Sequence, residues 1–486
     1  MKEIKVKERV IDFSDFSKGV DYDTLNNRNT GTAIDGYNFK FDSGTLSTGL
    51  GTAPLVIKSK DYMPNTKTIT ASDMRKIFAY TPSATTEPKI VMISEDGKVY
   101  TDRMESLTPT YTELYDFEEY PNWIRYSYDS VNYLLFSTDT KFYVYSGGVF
   151  TTQITENPVN IYDVCAHNGM LFVVKNQPYK YVINYCTDLN PANIQTNFGN
   201  MRSITLPDTC GNIVKLVSFN DYLYIFCEYG IYRLVSYESK KKLYIEPVYY
   251  GTTNIFRESI VMAGSRIVFT ARDGIYTFTG LKVNKLKLNI DKILKPTNSP
   301  NAVAIYSDGI YYVACNLTFN DSKIIGAEFA APLLNNSVLM VDLEKESVVI
   351  NRGLALSDME VFRNYSNKKL ACVTSSYLGT EIFQLEENGV YRGSEYYLDK
   401  HWQTCYYDLD MPNTMKICKK VTITTATDIT VTVNCDDNTF AYSLKGSAKP
   451  QTIYVNEKGY KFGLTFDCVK CTAKISDVKM VVGVYE

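Results

Sequence analysis

Few residues in this chain have the types and spacing that chemistry requires. Cys468-Val469-Lys470-Cys471 forms a CxxC. A structural zinc site needs a second such pair or two histidines, and the chain has no second CxxC and only His167 and His401. Thioredoxin-type exchange needs the pair at a helix start in an α/β setting, whereas these cysteines fall in a predicted β-turn. The expectation is two reduced thiols flanking a hairpin. A Ser-His-Asp or Cys-His relay would have to use one of the two histidines. His167 falls in a hairpin turn and His401 beside Trp402, so both read as packing or surface residues. GxSxG, HExxH, P-loop and paired-glycine fingerprints are absent. The acid pairs Glu118-Glu119, Glu386-Glu387 and Asp436-Asp437 fall in turns or loops, where adjacent carboxylates are usually solvated. A glycosidase could still draw two acids from distant segments across a cleft. No catalytic, cofactor-binding or metal-ligating residue is assigned, and no enzymatic activity or cofactor is expected.

The tyrosines are a different resource. There are 40, with 23 phenylalanines. Pairs such as Tyr143/Tyr145, Tyr179/Tyr181, Tyr222/Tyr224 and Tyr311/Tyr312 could line a ligand surface. Strand packing is favoured, with a share facing partner subunits, because the phenol combines an apolar body with a polar tip.

These residues must be positioned by strands. Alternating apolar and aromatic runs, broken by short Asn/Asp/Gly turns, recur along the chain. The turn markers Asp129, Asn168, Asn220, Gly264 and Asp308 stand 39, 52, 44 and 44 residues apart. Repeats of roughly 40–50 residues with about four strands each indicate a β-propeller. The fold class is therefore all-β: a propeller of six or seven blades over 70–395, then a small C-terminal β-sandwich over 396–486. Residues 1–69 are a lead-in of short strands and a hairpin, available to complete the first blade. Thr187–Gly211 is expected as an inter-blade loop. Lys282–Pro296 (KVNKLKLNIDKILKP) is expected as a basic surface helix, with Leu286, Ile290, Ile293 and Leu294 on one face. Whether this segment 282–296 touches DNA is left open.

Charge and patterning exclude other classes. The formal net charge is −3 with both signs dispersed, so no basic arm for nucleic acid is present. Met1–Val10 lacks the apolar centre of a secretory signal. No run approaches the roughly 18 apolar residues that span a bilayer. A soluble protein with buried, reduced cysteines is expected.

Two segments resemble bacteriophage tail proteins built on a propeller. Within Asp35–Gly51, the Asn38-Phe39 pair, the turn Ser43-Gly44, Leu46 and Gly49–Gly51 match the family outline. Ser47-Thr48 replace the basic residues and proline that commonly follow the leucine. At the other end, His401-Trp402, Tyr407-Asp408-Leu409-Asp410, Pro412, Lys416 and Val421–Thr425 resemble the entry to the family's C-terminal sandwich. Ile429–Val433 and Ile475-Ser476-Asp477-Val478 resemble its later strands. The resemblance implies a virion structural protein: the tail nozzle, or packaged-DNA stabilisation protein, of short-tailed phages, or a related minor tail protein. It implies a homo-oligomeric ring as partner, contacts with the portal-adaptor and other tail proteins, transient contact with packaged DNA, and no membrane insertion. Location would be the virion tail, assembled in the bacterial host cytoplasm. The alternative is a receptor- or carbohydrate-binding propeller, or a carbohydrate-active one, with the C-terminal sandwich as a binding module, marked by a funnel of acids and aromatics on one face.

Overall fold

A computed structural model describes residues 6–24, 31–42, 44–54, 74–83, 89–102, 111–147, 149–176, 180–237, 242–294, 299–326, 335–364, 367–376, 379–391, 396–469 and 472–485. It is all-β, and its repeated four-stranded antiparallel sheets are consistent with a β-propeller. Five sheets are simple four-stranded meanders, beginning at Met74–Tyr80, Asn122–Tyr128, Ile161–His167, Ile213–Phe219 and Val261–Ala263. A sixth sheet has seven strands because Ser347–Asn364 serves twice. Its first half pairs with Asn335–Asp342 as an outer strand; its second half pairs with Asn367–Ser376 as an inner one. The sheet therefore counts as two units, giving seven among the described residues.

The repeating turns have a local cause. A two-residue hairpin loop matches the twist of its strands when both central residues take positive φ. Asp129-Ser130, Asn168-Gly169, Asn220-Asp221 and Asp308-Gly309 all do so. Asn, Asp and Gly tolerate that region best, which is why they mark the repeat.

The last unit is completed from the chain's other end. Gly51–Pro54 pairs with Gly379–Glu386 as the outer strand of the seventh unit. An N-terminal strand thus closes the last unit, not the first, and the ring of sheets is fastened by residues more than 300 apart in sequence. Gly51 is required there. A Cβ would lie 2.1 Å from Asn388 Oδ1 and 2.3 Å from the Val390 backbone nitrogen.

Apart from a short ribbon of Val390–Tyr391 and Tyr396–Tyr397, the remaining strands form two further sheets. One runs Phe39–Asp42, Thr45–Thr48, Lys474–Tyr485, Lys416–Thr425, Ser447–Gly459, with Val6–Asp12 also on Lys474–Tyr485. The other runs Ala33–Tyr37, Lys400–Thr404, Phe462–Cys468, Ile429–Cys435, Asn438–Leu444. Both contribute to one core that includes Phe16, Phe39, Trp402, Val421, Val431, Phe466 and Met480. Strands from residues 6–48 are thus built into the sheets of residues 400–485.

Thr187–Gly211 is not wholly an inter-blade loop, since Arg202–Thr205 within it is the outer strand of the third unit, and two further expectations fail. Lys282–Pro296 is not a continuous helix: Val283–Lys285 is a strand, and helix covers only Asp291–Leu294, with Pro296 outside the described residues. Leu286, Leu288 and Ile290 are buried while Lys287 and Asn289 are exposed. That period of two is an extended chain against the core, and Leu288, which the helical reading leaves off its face, is what distinguishes the patterns. The basic face is also partly spent, with Lys285 on Asp291 at 2.6 Å and Lys292 Nζ on the Asp23 carbonyl at 3.0 Å. The second failure is Cys468, which is disulfide-bonded and so is not a reduced thiol; Cys471 lies outside the described residues. The other described cysteines are free.

No helix among the described residues is long and apolar enough to cross a membrane.

Candidate axial site

One cavity of about 730 Å³ is walled by residues in or just before the inner strands of every unit. Lys76 comes from the first, Trp123–Ser127 from the second, Asp163–Ala166 from the third and Lys215–Ser218 from the fourth. Arg257, Glu258 and Ile260–Met262 come from the fifth, Ala304–Tyr306 from the sixth, and Met359–Val361 from the seventh. The cavity therefore lies on the axis of the ring of sheets.

Three of its charged residues, Lys76, Asp163 and Lys215, and the nearby Asp358 are placed by a local motif repeated four times. Met74-Arg75-Lys76-Ile77, Ile161-Tyr162-Asp163-Val164, Ile213-Val214-Lys215-Leu216 and Leu356-Ser357-Asp358-Met359 each read apolar, any, charged, apolar. In each the pairing register slips between the first and third residue. Such a bulge adds a residue and re-aims the side chain that follows.

The acids among these tie neighbouring units. Asp358 accepts from the Ile77 backbone N–H at 2.8 Å and from Lys76 Nζ at 2.9 Å, joining the seventh unit to the first. Asp163 accepts from the Leu216 N–H at 2.6 Å, joining the third to the fourth. Further ion contacts gather around the axis. Lys76 of the first unit stands 3.7 Å from Glu258 of the fifth. Arg257 stands 3.6 Å from both Glu258 and Asp163. Arg125 of the second unit pairs with Glu360 of the seventh.

Burial sets the protonation tendencies. It pushes the Asp358 carboxyl up to about 6, against the pull of Lys76 and the Ile77 N–H. It raises Asp163 too, with Arg257 opposing. Burial also acts to raise Glu258, but Lys76, Arg257 and Lys215 outweigh it and hold that carboxyl below its ordinary value. The Lys215 ammonium is lowered by burial, which its acidic neighbours only partly offset. Two carboxyls displaced in opposite directions around one arginine are the kind of pair that acid–base sites use.

The residues singled out from sequence lie elsewhere. His167 is buried at the end of its strand, with Nδ1 2.8 Å from Ser218 Oγ and Nε2 3.0 Å from Asn168 Nδ2. His401 stacks on Tyr37 and holds Asp467 Oδ1 at 2.7 Å. The three acid pairs are not brought together. Glu118 holds Lys141 at 2.9 Å, Glu387 holds Lys40 at 2.6 Å, and Asp436 accepts from the Tyr460 N–H at 3.0 Å. Tyr143 and Tyr145 are fully buried between the first two units, as is Tyr311 between the fifth and sixth. Tyr222 is 37% exposed and Tyr224 buried. Tyr179 lies outside the described residues. The axial set, Lys76, Asp163, Lys215, Glu258 and Asp358, escaped the sequence reading. The repeated apolar-x-charged-apolar opening of the inner strands was the signal that could have found all of it but Glu258, which lies in the turn before its strand.

A second polar cluster lies where the ring meets the two-sheet unit. Asn38, fully buried at φ 62°, donates to the carbonyls of Arg352 (3.1 Å) and Asp399 (2.7 Å) and accepts from the Arg352 N–H (2.7 Å). Arg352 grips Asp321 at 2.8 and 3.0 Å and covers the rings of Tyr37 and Phe319. Gly36 is paired with Trp402 and Tyr37 with His401.

No family model and no curated protein matches this chain. Solved structures resemble it distantly. The Cps50 (Swd1) β-propeller domain of Myceliophteria thermophila is 13% identical, with 66% of this chain and 98% of that one covered at a TM-score of 0.39. The Pan2 WD40 domain of Neurospora crassa is 12% identical, with 71% and 96% covered at a TM-score of 0.40. A chain from the complex of BBS1N with ARL6DN is 11% identical, with 69% and 97% covered at a TM-score of 0.42.

Proposed function

We propose that this chain is a non-enzymatic structural component of a bacteriophage virion tail, a nozzle subunit that forms a homo-oligomeric ring, retains packaged DNA and gives it an exit. In this reading the seven units are seven blades of a propeller, and the two sheets sharing one core are a sandwich built from both chain ends. The supporting observation is the meeting of the two segments that carry the phage resemblance. Asp35–Gly51 and His401-Trp402 lie at opposite ends of the sequence, yet Ala33–Tyr37 and Lys400–Thr404 are paired strands. Asn38 then ties that pair to Arg352 of the ring. One motif thus does one job: it locks two bodies into a rigid subunit. Rigid subunits suit a closed ring of head-to-tail contacts.

The axial cavity favours the same reading. Three of its lining cations, Lys76, Arg125 and Arg257, lie against acids of other units, which leaves no continuous basic track of the kind tight DNA binding needs. DNA would pass through the centre of the assembled ring and not along the axis of one propeller. Cryo-electron microscopy of purified virions tests the proposal. A symmetric ring of this chain on the tail axis is expected; absence of the chain from the particle overturns it.

A further inference from the structure

Two polar groups facing the axial cavity have unspent hydrogen-bonding capacity. Lys215 carries three N–H donors, yet its Nζ donates only to the Ile260 carbonyl, at 3.0 Å, and pairs with no carboxylate among the described residues. Glu258 offers two oxygens. Its contacts with Lys76 and Arg257, at 3.7 and 3.6 Å, are longer than hydrogen bonds, and it accepts none among the described residues. Both groups line a cavity of about 730 Å³, from the adjacent fourth and fifth units, a size typical of small-molecule sites. Other wall groups are satisfied: Asp163 by Leu216, Lys76 by Asp358, and Arg257 by the Tyr162 carbonyl at 2.8 Å.

We propose that this axial cavity binds a neutral saccharide, its hydroxyls donating to Glu258 and accepting from Lys215. The class follows from the wall. A free anion would meet Glu258, Glu360 and Asp163; a free cation would meet Lys215, Arg257, Arg125 and Lys76. A hydroxyl both donates and accepts, so it satisfies both unspent groups without adding charge. The C–H faces of a sugar ring would rest on Ile305, Val261 and Met359, with Trp123 and Tyr306 as aromatic neighbours. The proposal does not rest on the tail reading, since a virion protein and a free one could carry the same pocket.

The chain holds two tryptophans. Trp402 is buried in the core of the two-sheet unit, while Trp123 borders the cavity and lies 4.3 Å from Lys76 Nζ. Titration of the full chain with neutral disaccharides (maltose, lactose, cellobiose), followed by Trp fluorescence and calorimetry, gives a direct test. Saturable binding of at least one, with Kd of about 1 mM or tighter, is expected. Lys215→Met and Glu258→Gln should each weaken it about tenfold or more, with the fold checked by circular dichroism. Glucuronate, glucosamine and inorganic phosphate should bind more weakly than the neutral sugar. Should either variant fail to fold, Ala304→Phe, which fills the sixth-unit wall, should abolish the signal. No saturable binding by wild type, tighter binding of phosphate or glucuronate, or binding untouched by the variants would each overturn the proposal.

Discussion

At the scale of single residues, charge and hydrogen bonding at two buried positions decide how the subunit responds to its surroundings. Asp358 is raised from 3.8 to about 6, chiefly by burial. The folded state therefore takes up this proton more readily than the unfolded chain. Its contribution to stability is fully present below about pH 4 and is lost as pH rises through about 6. A displacement of that size corresponds to about 3 kcal/mol. Urea midpoints at pH 5 and 7.5 should show wild type losing stability across this interval, and Asp358→Asn losing distinctly less. Equal slopes for both proteins would refute the assignment. Asn38 acts through hydrogen bonds and not through charge. Its side chain satisfies the buried carbonyl and N–H of Arg352 and the half-buried carbonyl of Asp399, and Asn tolerates its positive φ better than most residues. Asn38→Ala should cost roughly 2–6 kcal/mol by chemical denaturation, because the buried Arg352 carbonyl and N–H are both abandoned and each such group costs about 1–3 kcal/mol.

At the scale of elements, the closing strand and the 282–296 segment make opposite points. Gly51–Pro54 covers an outer edge that would otherwise offer unpaired backbone groups to other chains. Gly51→Ala forces a methyl against Asn388 and the Val390 backbone. A loss of about 1–3 kcal/mol, accompanied by aggregation on heating, is expected from thermal melts with light scattering. In the other segment, Leu288 is buried and Lys287 exposed. Leu288→Asp should therefore cost more than about 3 kcal/mol, while Lys287→Glu should stay within about 0.5 kcal/mol. A solvated helix with Leu288 off its buried face would tolerate both, so paired denaturation curves separate the two conformations. From sequence, KLKLNIDKIL satisfies both a helical and an alternating template, and short apolar runs do not choose between them. The neighbouring sheet made the choice, since the Leu286 N–H bonds the Ile275 carbonyl at 2.9 Å.

At the scale of the molecule, the two bodies are joined by a buried polar cluster and by strands exchanged between chain ends. Such a junction should behave as one cooperative unit. A single calorimetric transition is expected for wild type, and two resolved transitions for Arg352→Met, which removes the guanidinium gripping Asp321 and covering Tyr37 and Phe319. One unchanged transition in the variant would show that the cluster does not couple the bodies.

Much of this architecture was legible in the residues themselves. Asp129, Asn168, Asn220, Gly264 and Asp308 announce the hairpins because positive φ is a local property. Alternation of apolar residues announces the strands because side chains on a strand point to opposite faces in turn. The scarcity of histidine and the dispersed charge are likewise facts of composition. Other features became visible only in three dimensions. Nothing local tells Gly51–Pro54 that its partner is Gly379–Glu386, or Ala33–Tyr37 that it lies beside Lys400–Thr404. Nor does anything local tell Lys76 that it will face Glu258 across an axis. Conformation at a turn depends on one or two residues and their own sterics. Pairing between distant strands, and the charges that ring closure brings together, depends on every unit between them.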